Sequence, residues 1–294
     1  MWVGQFKDYL MGEKRCSMHT VNAYSRDVVE FQAFVQSHTQ ASLDTIGKKE
    51  VRMFIAHQLS QKSNRSVNRK LSSVRAFYRF LQKTETLDYN PLDSVKSLKV
   101  EKKVIIPLSQ KEGSKILYDT RNYYPTIEHR NKLMIEILYH TGIRRSELIT
   151  LQKKYFDFHK REIKVLGKRN KQRVIPLNSE LAQKISDYIS MDLENSGDYI
   201  FAGKSGAPLN PKTVYTIVKK ELSAYTEKEN KGPHVLRHSL ATHMLQNGAE
   251  INSVKEILGH SSLAATEVYT HLDLKKLTGL IAETHPREVK NQKT

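Results

Sequence analysis

The prolines of this chain are distributed unevenly, and their distribution constrains the fold more than any other feature of the sequence. The first of the eight is Pro91, and the other seven follow at positions 107, 125, 176, 208, 211, 233 and 286. Proline interrupts helices, so the segment before Pro91 is free to form several in succession. Apolar residues recur at helical spacing there and predict four amphipathic helices, over Val3–Gly12, Thr20–Gln36, Lys48–Leu59 and Ser66–Lys83. The sequence thus predicts a helical domain over residues 1–95.

A linker and a second domain are predicted after this helical segment. Pro91, Pro107 and the charged run Lys99–Lys103 indicate a linker over residues 96–106, and a chain of 294 residues is long enough for two domains. The second domain is expected over 107–294. Its predicted elements are helices over Gln110–Asp119, Ile127–His140 and Thr213–Ala224, and two short strands over Ile163–Leu166 and Val174–Leu177. The predicted fold class is mainly α, with a small β-hairpin or sheet in the second domain.

The charge of the chain indicates a polyanionic partner. The formal net charge is +17 and is spread along the sequence instead of being confined to one tail. No segment has the length of a membrane span, no signal peptide begins the chain, and Cys16 has no second cysteine to pair with. These features favour a cytoplasmic, nucleoid-associated protein that contacts DNA and does not enter a membrane.

Basic residues that could contact DNA are concentrated in two places. The fourth predicted helix carries cations that lie largely off its apolar stripe, and the loop between the two strands, Gly167–Arg173, is strongly basic. Such a surface is either simply solvated or a binding face for DNA. The residues that we expect to contact DNA are Arg65, Arg69, Lys70, Arg75, Lys171 and Arg173.

The segment that begins at Gly232–Pro233 has the features of an anion site. Glycine followed by proline predicts the start of a helix, because proline is preorganised for the first turn. His234 and Arg237 are three residues apart and share one face of that turn. Free amides and the positive end of the helix dipole also favour an anion there.

The sequence after this first turn predicts how further polar residues are placed. An apolar stripe of Leu236, Leu240, Met244 and Leu245 is expected to face a core, and Asn247–Gly248 is expected to end the helix. A second helix over Asn252–Leu258 would end at Gly259 and leave His260 just beyond it. A third short helix would carry Tyr269, and a tail helix is expected over Asp273–Ala282.

Three residues farther upstream extend this candidate site. Arg144 follows the helix break at Thr141–Gly142 and stands at the start of another helix, where a planar guanidinium and the helix dipole suit phosphate oxygens. Glu147, three residues later, could hold Arg144 or a histidine in place. Taken alone, the two would be an ordinary surface ion pair. Lys168 in the basic loop is either a solubilising charge or a mobile group that reaches into DNA.

Two other kinds of site are not supported by the sequence. His234 and His238 are four residues apart, but no HExxH motif accompanies them and the chain has a single cysteine, so a zinc site is not expected. The segment GDYIFAGKS ends like a phosphate-binding loop, but its glycines are one residue too far apart and no helix follows. We therefore expect neither a metal nor ATP, and no cofactor.

Together, these motifs resemble the active site of the tyrosine recombinase (phage integrase) family, most closely that of its Xer subgroup. They occur here as TGIRRSEL, GKRNKQRVIPL, HVLRHSLATHMLQNG, LGHSS and VYTH. The resemblance covers nearly the whole chain and implies a two-domain DNA clamp, with a core-binding domain before the catalytic domain. One departure is Ala264–Thr266, where the subgroup usually carries Ser-Thr-Thr. The matched catalytic positions are Arg144, Lys168, His234, Arg237, His260 and Tyr269.

The resemblance also implies the reaction. Tyr269 would attack the scissile phosphate to form a 3′-phosphotyrosine, while Lys168 protonates the leaving 5′-oxygen. Arg144 and Arg237 would neutralise the phosphoryl oxygens, which a phenol with a pKa of about 10 requires at neutral pH. His234 would accept or donate a proton, and His260 would bind a phosphoryl oxygen. The implied partners are double-stranded DNA with paired half-sites, and copies of this chain or of a paralogous recombinase in a synaptic tetramer.

Several alternatives remain open at this point. The chain could be a DNA-binding protein with an idle site, or an enzyme like a type IB topoisomerase that shares the chemistry and acts without synapsis. Among recombinases, resolution of chromosome or plasmid dimers and integration of a mobile element use the same chemistry.

Overall fold

A computed structural model describes residues 2–39, 41–101, 105–119, 127–167, 172–191, 197–203 and 205–259. The chain divides into two compact units, Met1–Lys103 and Val104–Thr294, and each has its own hydrophobic core. Among the described residues, no helix combines the length and the hydrophobicity that crossing a membrane requires.

The first unit contains four helices, as the apolar spacing predicts. They are α1 (Trp2–Gly12), α2 (Met18–His38), α3 (Lys48–Leu59) and α4 (Asn64–Lys83). Serine side chains cap two of them: Ser17 Oγ accepts from the amide of Thr20, and Ser63 Oγ accepts from the amide of Ser66. Aromatic side chains fill the core, with Phe6, Phe31, Phe54, Phe77 and Tyr78 all inaccessible to solvent.

Ion pairs join α2 to α4 beside this core. Asp27 on α2 is fully buried and accepts two hydrogen bonds from Arg69 on α4, at 2.5 and 2.9 Å, and a third from the Ser73 hydroxyl at 2.7 Å. One helical turn later, Glu30 accepts from Lys62 at 3.0 Å and from the ammonium of Lys70. A buried carboxylate requires such partners, so these contacts fix which face of α4 lies against α2.

The second unit is mainly helical and contains one small sheet. Its helices are α5 (Gln110–Asp119), α6 (Ile127–Thr141), α7 (Arg145–Ile149), α8 (Ser179–Met191), α9 (Pro211–Leu222), α10 (Pro233–Gln246) and α11 (Ile251–Leu258). Three antiparallel strands in the order β1-β2-β3 form the sheet: Phe156–Asp157, Glu162–Leu166 and Gln172–Pro176. The fold is therefore mainly α with a small sheet, as predicted, although β1 and α8 were not anticipated.

One detail of the predicted stripe on α10 is wrong. Leu236, Leu240 and Met244 are buried, but the side chain of Leu245 is 41% exposed. Leu245 lies just before the end of the helix, about 100° around the axis from Met244, and is therefore turned away from the core. The predicted third helix that carries Tyr269 and the predicted tail helix lie outside the described residues.

Candidate active site

Arg144 is positioned by the turn between α6 and α7. Gly142 follows the end of α6 and has a φ of +61°, a conformation that favours glycine. Two residues later, Arg144 is the N-cap of α7, and its backbone amide donates to Glu147 Oε2 at 2.7 Å. The Arg144 guanidinium also donates from Nη1 to Glu147 Oε1, at 2.8 Å. The first turn of α7 therefore holds both ends of the arginine.

Glu147 is a buried carboxylate shared by two arginines. Its side chain is 3% exposed, and both of its oxygens also accept from the guanidinium of Arg173, at 3.0 and 2.8 Å. Burial by itself would raise the pKa of Glu147, but the hydrogen bonds and charges of Arg173 and Arg144 lower it to about 2. Glu147 is thus ionised at neutral pH.

Arg237 approaches the same region from α10. It is 8% exposed, and its guanidinium donates from Nη1 to the carbonyl of Gly142 and from Nη2 to the carbonyl of Leu258, the latter at 2.5 Å. Burial and the nearby charges of Arg144 and Arg173 lower the pKa of Arg237 to about 10. The guanidinium is still charged at neutral pH, and a phosphate anion would relieve the repulsion among the three arginines.

The carboxyl end of α11 joins the three arginines. Gly259 caps the helix with a φ of +64°. The three consecutive carbonyls of Ile257, Leu258 and Gly259 accept, respectively, from Arg173 Nε at 3.2 Å, Arg237 Nη2 at 2.5 Å and Arg144 Nη2 at 2.7 Å. The last carbonyls of a helix lack partners within it and carry the negative end of its dipole, so cations stabilise them.

Of the remaining predicted catalytic residues, only His234 lies within the described part of the chain. His234 is exposed at the second residue of α10. Lys168, His260 and Tyr269 lie outside the described residues, as does Lys171 of the basic loop. The described part of the site is therefore a cluster of three arginines around one ionised carboxylate, with net positive charge.

Two residues predicted to contact DNA have other partners. Arg173 is 13% exposed and donates to Glu147 and Ile257, so its guanidinium is held by protein acceptors, and its contact with DNA stays a prediction. Lys70 is 5% exposed and its ammonium is paired with Glu30 and Asp27, so it is not on the exposed face of α4. In both cases the acidic partner lies on another element, which the spacing of cations cannot show.

The other predicted DNA-contacting residues of α4 differ in their availability. Arg65 is exposed, and Arg69 retains 45% exposure of its side chain although it is paired with Asp27. Arg75 is half-buried and donates to the carbonyl of Val95 at 3.0 Å. The exposed cations on this helix are thus Arg65, Arg69, Arg79 and also Lys83, which pairs with Glu13.

A buried polar network that the sequence did not predict holds α10 in place. His243 lies between the hydroxyl of Tyr139 and the carbonyl of Leu108, each 2.7 Å from one ring nitrogen. Burial lowers the pKa of His243, so the neutral ring donates from Nε2 to the carbonyl and accepts the hydroxyl at Nδ1. The Ser239 hydroxyl also accepts from the amide of Leu108, at 2.8 Å. The sequence feature that could have indicated this network is a histidine and a serine on the apolar face of the predicted helix.

The fold and the arginine cluster define a class of protein: a two-unit, mainly helical, cationic chain with a site suited to a phosphate anion. Family comparisons agree with this description. Residues 108–276 match the phage integrase family, and residues 3–85 match the phage integrase N-terminal SAM-like domain.

Similar proteins cover nearly the whole chain. The tyrosine recombinase XerC of Chlorobaculum parvum is 33% identical over 97% of this chain and 94% of its own length. A tyrosine recombinase of Pseudothermotoga lettingae is 36% identical over 91% of this chain and 92% of its own length. The solved structure of XerH site-specific recombinase bound to a palindromic difH substrate, a post-cleavage complex, has a TM-score of 0.70 at 22% identity, covering 95% and 84% of the two chains.

The chain therefore belongs to the phage integrase family of tyrosine recombinases. It is a site-specific DNA recombinase, an enzyme whose chemistry uses a tyrosine nucleophile.

Proposed function

We propose that this recombinase resolves chromosome or plasmid dimers by cutting and rejoining double-stranded DNA at paired half-sites. The observation that carries the proposal is the cluster of Arg144 and Arg237 on the end of α11, where two fixed cations are ready to receive one phosphodiester. The similarity to XerC proteins over nearly the whole chain supports the Xer-type role.

In the proposed reaction, Tyr269 is the nucleophile. Its oxygen forms a bond to the scissile phosphorus as the bond from phosphorus to the 5′-oxygen breaks, which gives a 3′-phosphotyrosine and a free 5′-hydroxyl. His234 accepts the phenolic proton and Lys168 supplies a proton to the leaving oxygen. One phosphoester replaces another, so the exchange is close to neutral in energy and needs neither ATP nor a metal.

The two guanidinium groups stabilise charge in this reaction. The negative charge that develops on the phosphoryl oxygens is neutralised by Arg144 and Arg237, which are held in place before DNA binds and do not have to reorganise. His260 donates a hydrogen bond to the same oxygens. This geometry supports the paired roles of Arg144 and Arg237, while the roles of Lys168, His234, His260 and Tyr269 rest on the motifs.

The proposed partners follow from the reaction. Exchange between two duplexes needs four cutting subunits, so we propose that copies of this chain, alone or with a paralogous recombinase, form a synaptic tetramer on DNA in the cytoplasm, at the nucleoid. The XerH structure contains difH DNA, and a solved lambda integrase structure is a dimer bound to a COC′ core site, which supports a DNA-bound assembly.

The experiment that tests the enzyme's chemistry is covalent trapping. A nicked suicide substrate carrying the recombination site is incubated with the full-length protein, and the product is run on a denaturing gel. We expect a protein–DNA adduct that Tyr269→Phe abolishes while DNA binding is retained. Tyr215→Phe is the matched control, because Tyr215 is 43% exposed in the same unit, and it should leave the adduct intact. An adduct with Tyr269→Phe would refute the assignment of the nucleophile.

The biological role is tested on the same adduct. Sequencing the genomic DNA that is covalently captured by the wild-type protein should return a single type of site in the chromosome or a resident plasmid. Capture at the ends of a mobile element would contradict dimer resolution and indicate integration, while the chemistry would stand.

A further inference from the structure

We infer that Arg173 is a positioning residue that orients Arg144 through Glu147 and does not bind DNA. The inference rests on the proposed role of Arg144 in phosphate binding. On this inference, the basic hairpin has a structural role, because Arg173 on β3 helps to hold Arg144 in place.

The first argument is the geometry of the shared carboxylate. Glu147 Oε1 accepts from Nη1 of both Arg144 and Arg173, and Glu147 Oε2 accepts from the Arg144 amide and from Arg173 Nη2. The paired bonds from Arg173 fix the plane of the carboxylate. Without them, only the two bonds from Arg144 would hold the carboxylate, and the Arg144 guanidinium would be oriented less firmly.

The second argument is the carboxyl end of α11. Arg173 Nε donates to the carbonyl of Ile257, two residues before the carbonyl of Gly259 that accepts from Arg144. A Cβ on Gly259 would lie 3.2 to 3.3 Å from the Arg173 side chain, so the two are in close contact. Arg173 therefore supports both acceptors of the Arg144 guanidinium, the carboxylate and the end of the helix.

The third argument is that the guanidinium of Arg173 faces the protein. All three of its nitrogens donate to protein acceptors and its side chain is 13% exposed, whereas that of Arg144 is 26% exposed. A phosphate contact by Arg173 would require giving up a bidentate pair with a buried carboxylate, and removing one partner of a buried ion pair is destabilising.

The test separates positioning from DNA binding. Arg173→Ala, Arg173→Lys and Lys164→Ala are made in the full-length chain. Lys164 is the matched control because it is an exposed cation on the neighbouring strand, opposite Val174. For each protein, half-site affinity is measured over a range of salt concentrations, and single-turnover cleavage of a suicide substrate is measured at saturating DNA.

For Arg173→Ala we expect an unchanged salt slope and a cleavage rate lower by about 10²-fold, because small displacements of a catalytic group are costly. Arg173→Lys should restore only part of the rate, because an ammonium cannot form the bidentate pair. A salt slope shallower by about 0.9, with normal cleavage at saturation, would instead make Arg173 a phosphate contact and overturn the inference.

A double variant guards against a merely structural effect. If Arg173 acts through Glu147, then Arg173→Ala combined with Glu147→Gln should cleave about as slowly as the slower single variant. If the rate loss of the double variant equals the product of the two single losses, the residues act independently and the inference is refuted. If Arg173→Ala does not fold, the same comparison is made with Arg173→Lys and Glu147→Gln. Cleavage by Arg144→Lys is measured in the same assay. Normal cleavage by that variant would refute the proposed role of Arg144 itself. The salt slope of Arg173→Ala would still report whether Arg173 binds DNA.

Discussion

Gly142 shows how a single residue controls the site. Its φ is +61°, its carbonyl accepts from Arg237, and a Cβ built on it would lie 2.5 Å from Leu258 Cδ2 and 2.9 Å from Leu240 Cδ2. Alanine there would combine backbone strain with overpacking, and the displacement would reach both α10 and α11.

We predict that Gly142→Ala destabilises the protein by about 2–5 kcal/mol and slows DNA cleavage. The control is Gly248→Ala, because Gly248 also has a positive φ, +93°, but a Cβ there meets nothing within 4 Å. The control should lose only about 1–2 kcal/mol and cleave normally. Urea unfolding and single-turnover cleavage measure the two effects, and equal losses for both variants would show that close packing at Gly142 does not matter.

At the same scale, Glu147 predicts a pH dependence of stability. Its pKa is lowered from the ordinary 4.5 to about 2, which corresponds to about 3 kcal/mol of stabilisation. The stabilisation is fully present above the unfolded pKa of about 4.5 and is lost as the pH falls towards about 2. Glu147→Gln should therefore be less stable than the wild type at pH 7, by up to this amount, and the difference should narrow below about pH 4.

Chemical unfolding at a series of pH values measures this difference. Glu229→Gln, at an exposed position, should match the wild type throughout. A Glu147→Gln deficit that stays constant as the pH falls would mean that the shape of the side chain matters and its charge does not.

At the scale of an element, α4 has two functions on two faces. One face packs on α2 through Asp27 and Glu30, and the other presents Arg65 and Arg79 to solvent. Arg69 lies at the boundary, because it pairs with Asp27 and is still 45% exposed. The ion pairs explain why cations on one helix differ in their exposure to solvent. Lys70 faces the acidic residues of α2 and is buried, whereas Arg65 does not face them and is exposed.

We predict that Arg65→Ala and Lys70→Met affect different properties. Each phosphate contact that is lost reduces the salt slope of DNA binding by about 0.9, so Arg65→Ala should give a shallower slope with unchanged stability. Lys70→Met removes a partner of Glu30 and Asp27 and should lower stability without changing the slope. Binding titrations over salt concentration and thermal unfolding give both quantities. A shallower slope for Lys70→Met would show that its ammonium leaves the ion pair to reach DNA.

For the whole molecule, the separate cores of the two units make them separable by truncation. The core of residues 1–103 is built around phenylalanine and tyrosine rings, and the core of residues 104–294 is built mainly of aliphatic side chains. Each unit also carries exposed cations, so we expect both to contribute phosphate contacts.

We predict that a fragment of residues 104–294 folds, binds a half-site more weakly than the full chain, and has a shallower salt slope, because it releases fewer counterions. Circular dichroism verifies that the fragment is folded, and binding titrations over salt concentration provide the comparison. An unchanged slope would mean that residues 1–103 do not contact the DNA backbone.

The sequence by itself determined the features that depend on neighbours along the chain. The four helices of the first unit followed from apolar spacing, and the placement of Arg144 and Glu147 at the start of α7 followed from a helix break three residues earlier. Helix α8 was within reach of the same reasoning, because Leu181, Ile185 and Tyr188 recur at helical spacing, but it was not predicted. Such features depend on the local period of the backbone, which is visible in the order of the residues.

The partners of the charged side chains were decided only by the tertiary structure. Arg173 and Lys70 look like free surface cations in the sequence, yet their carboxylates lie 26 residues away at Glu147 and 40 residues away at Glu30. The convergence of three arginines on the carbonyls of α11 likewise requires α7, β3 and α10 to be packed together. An ion pair depends on distance in space and on burial, and packing sets both of these between elements that the sequence keeps far apart.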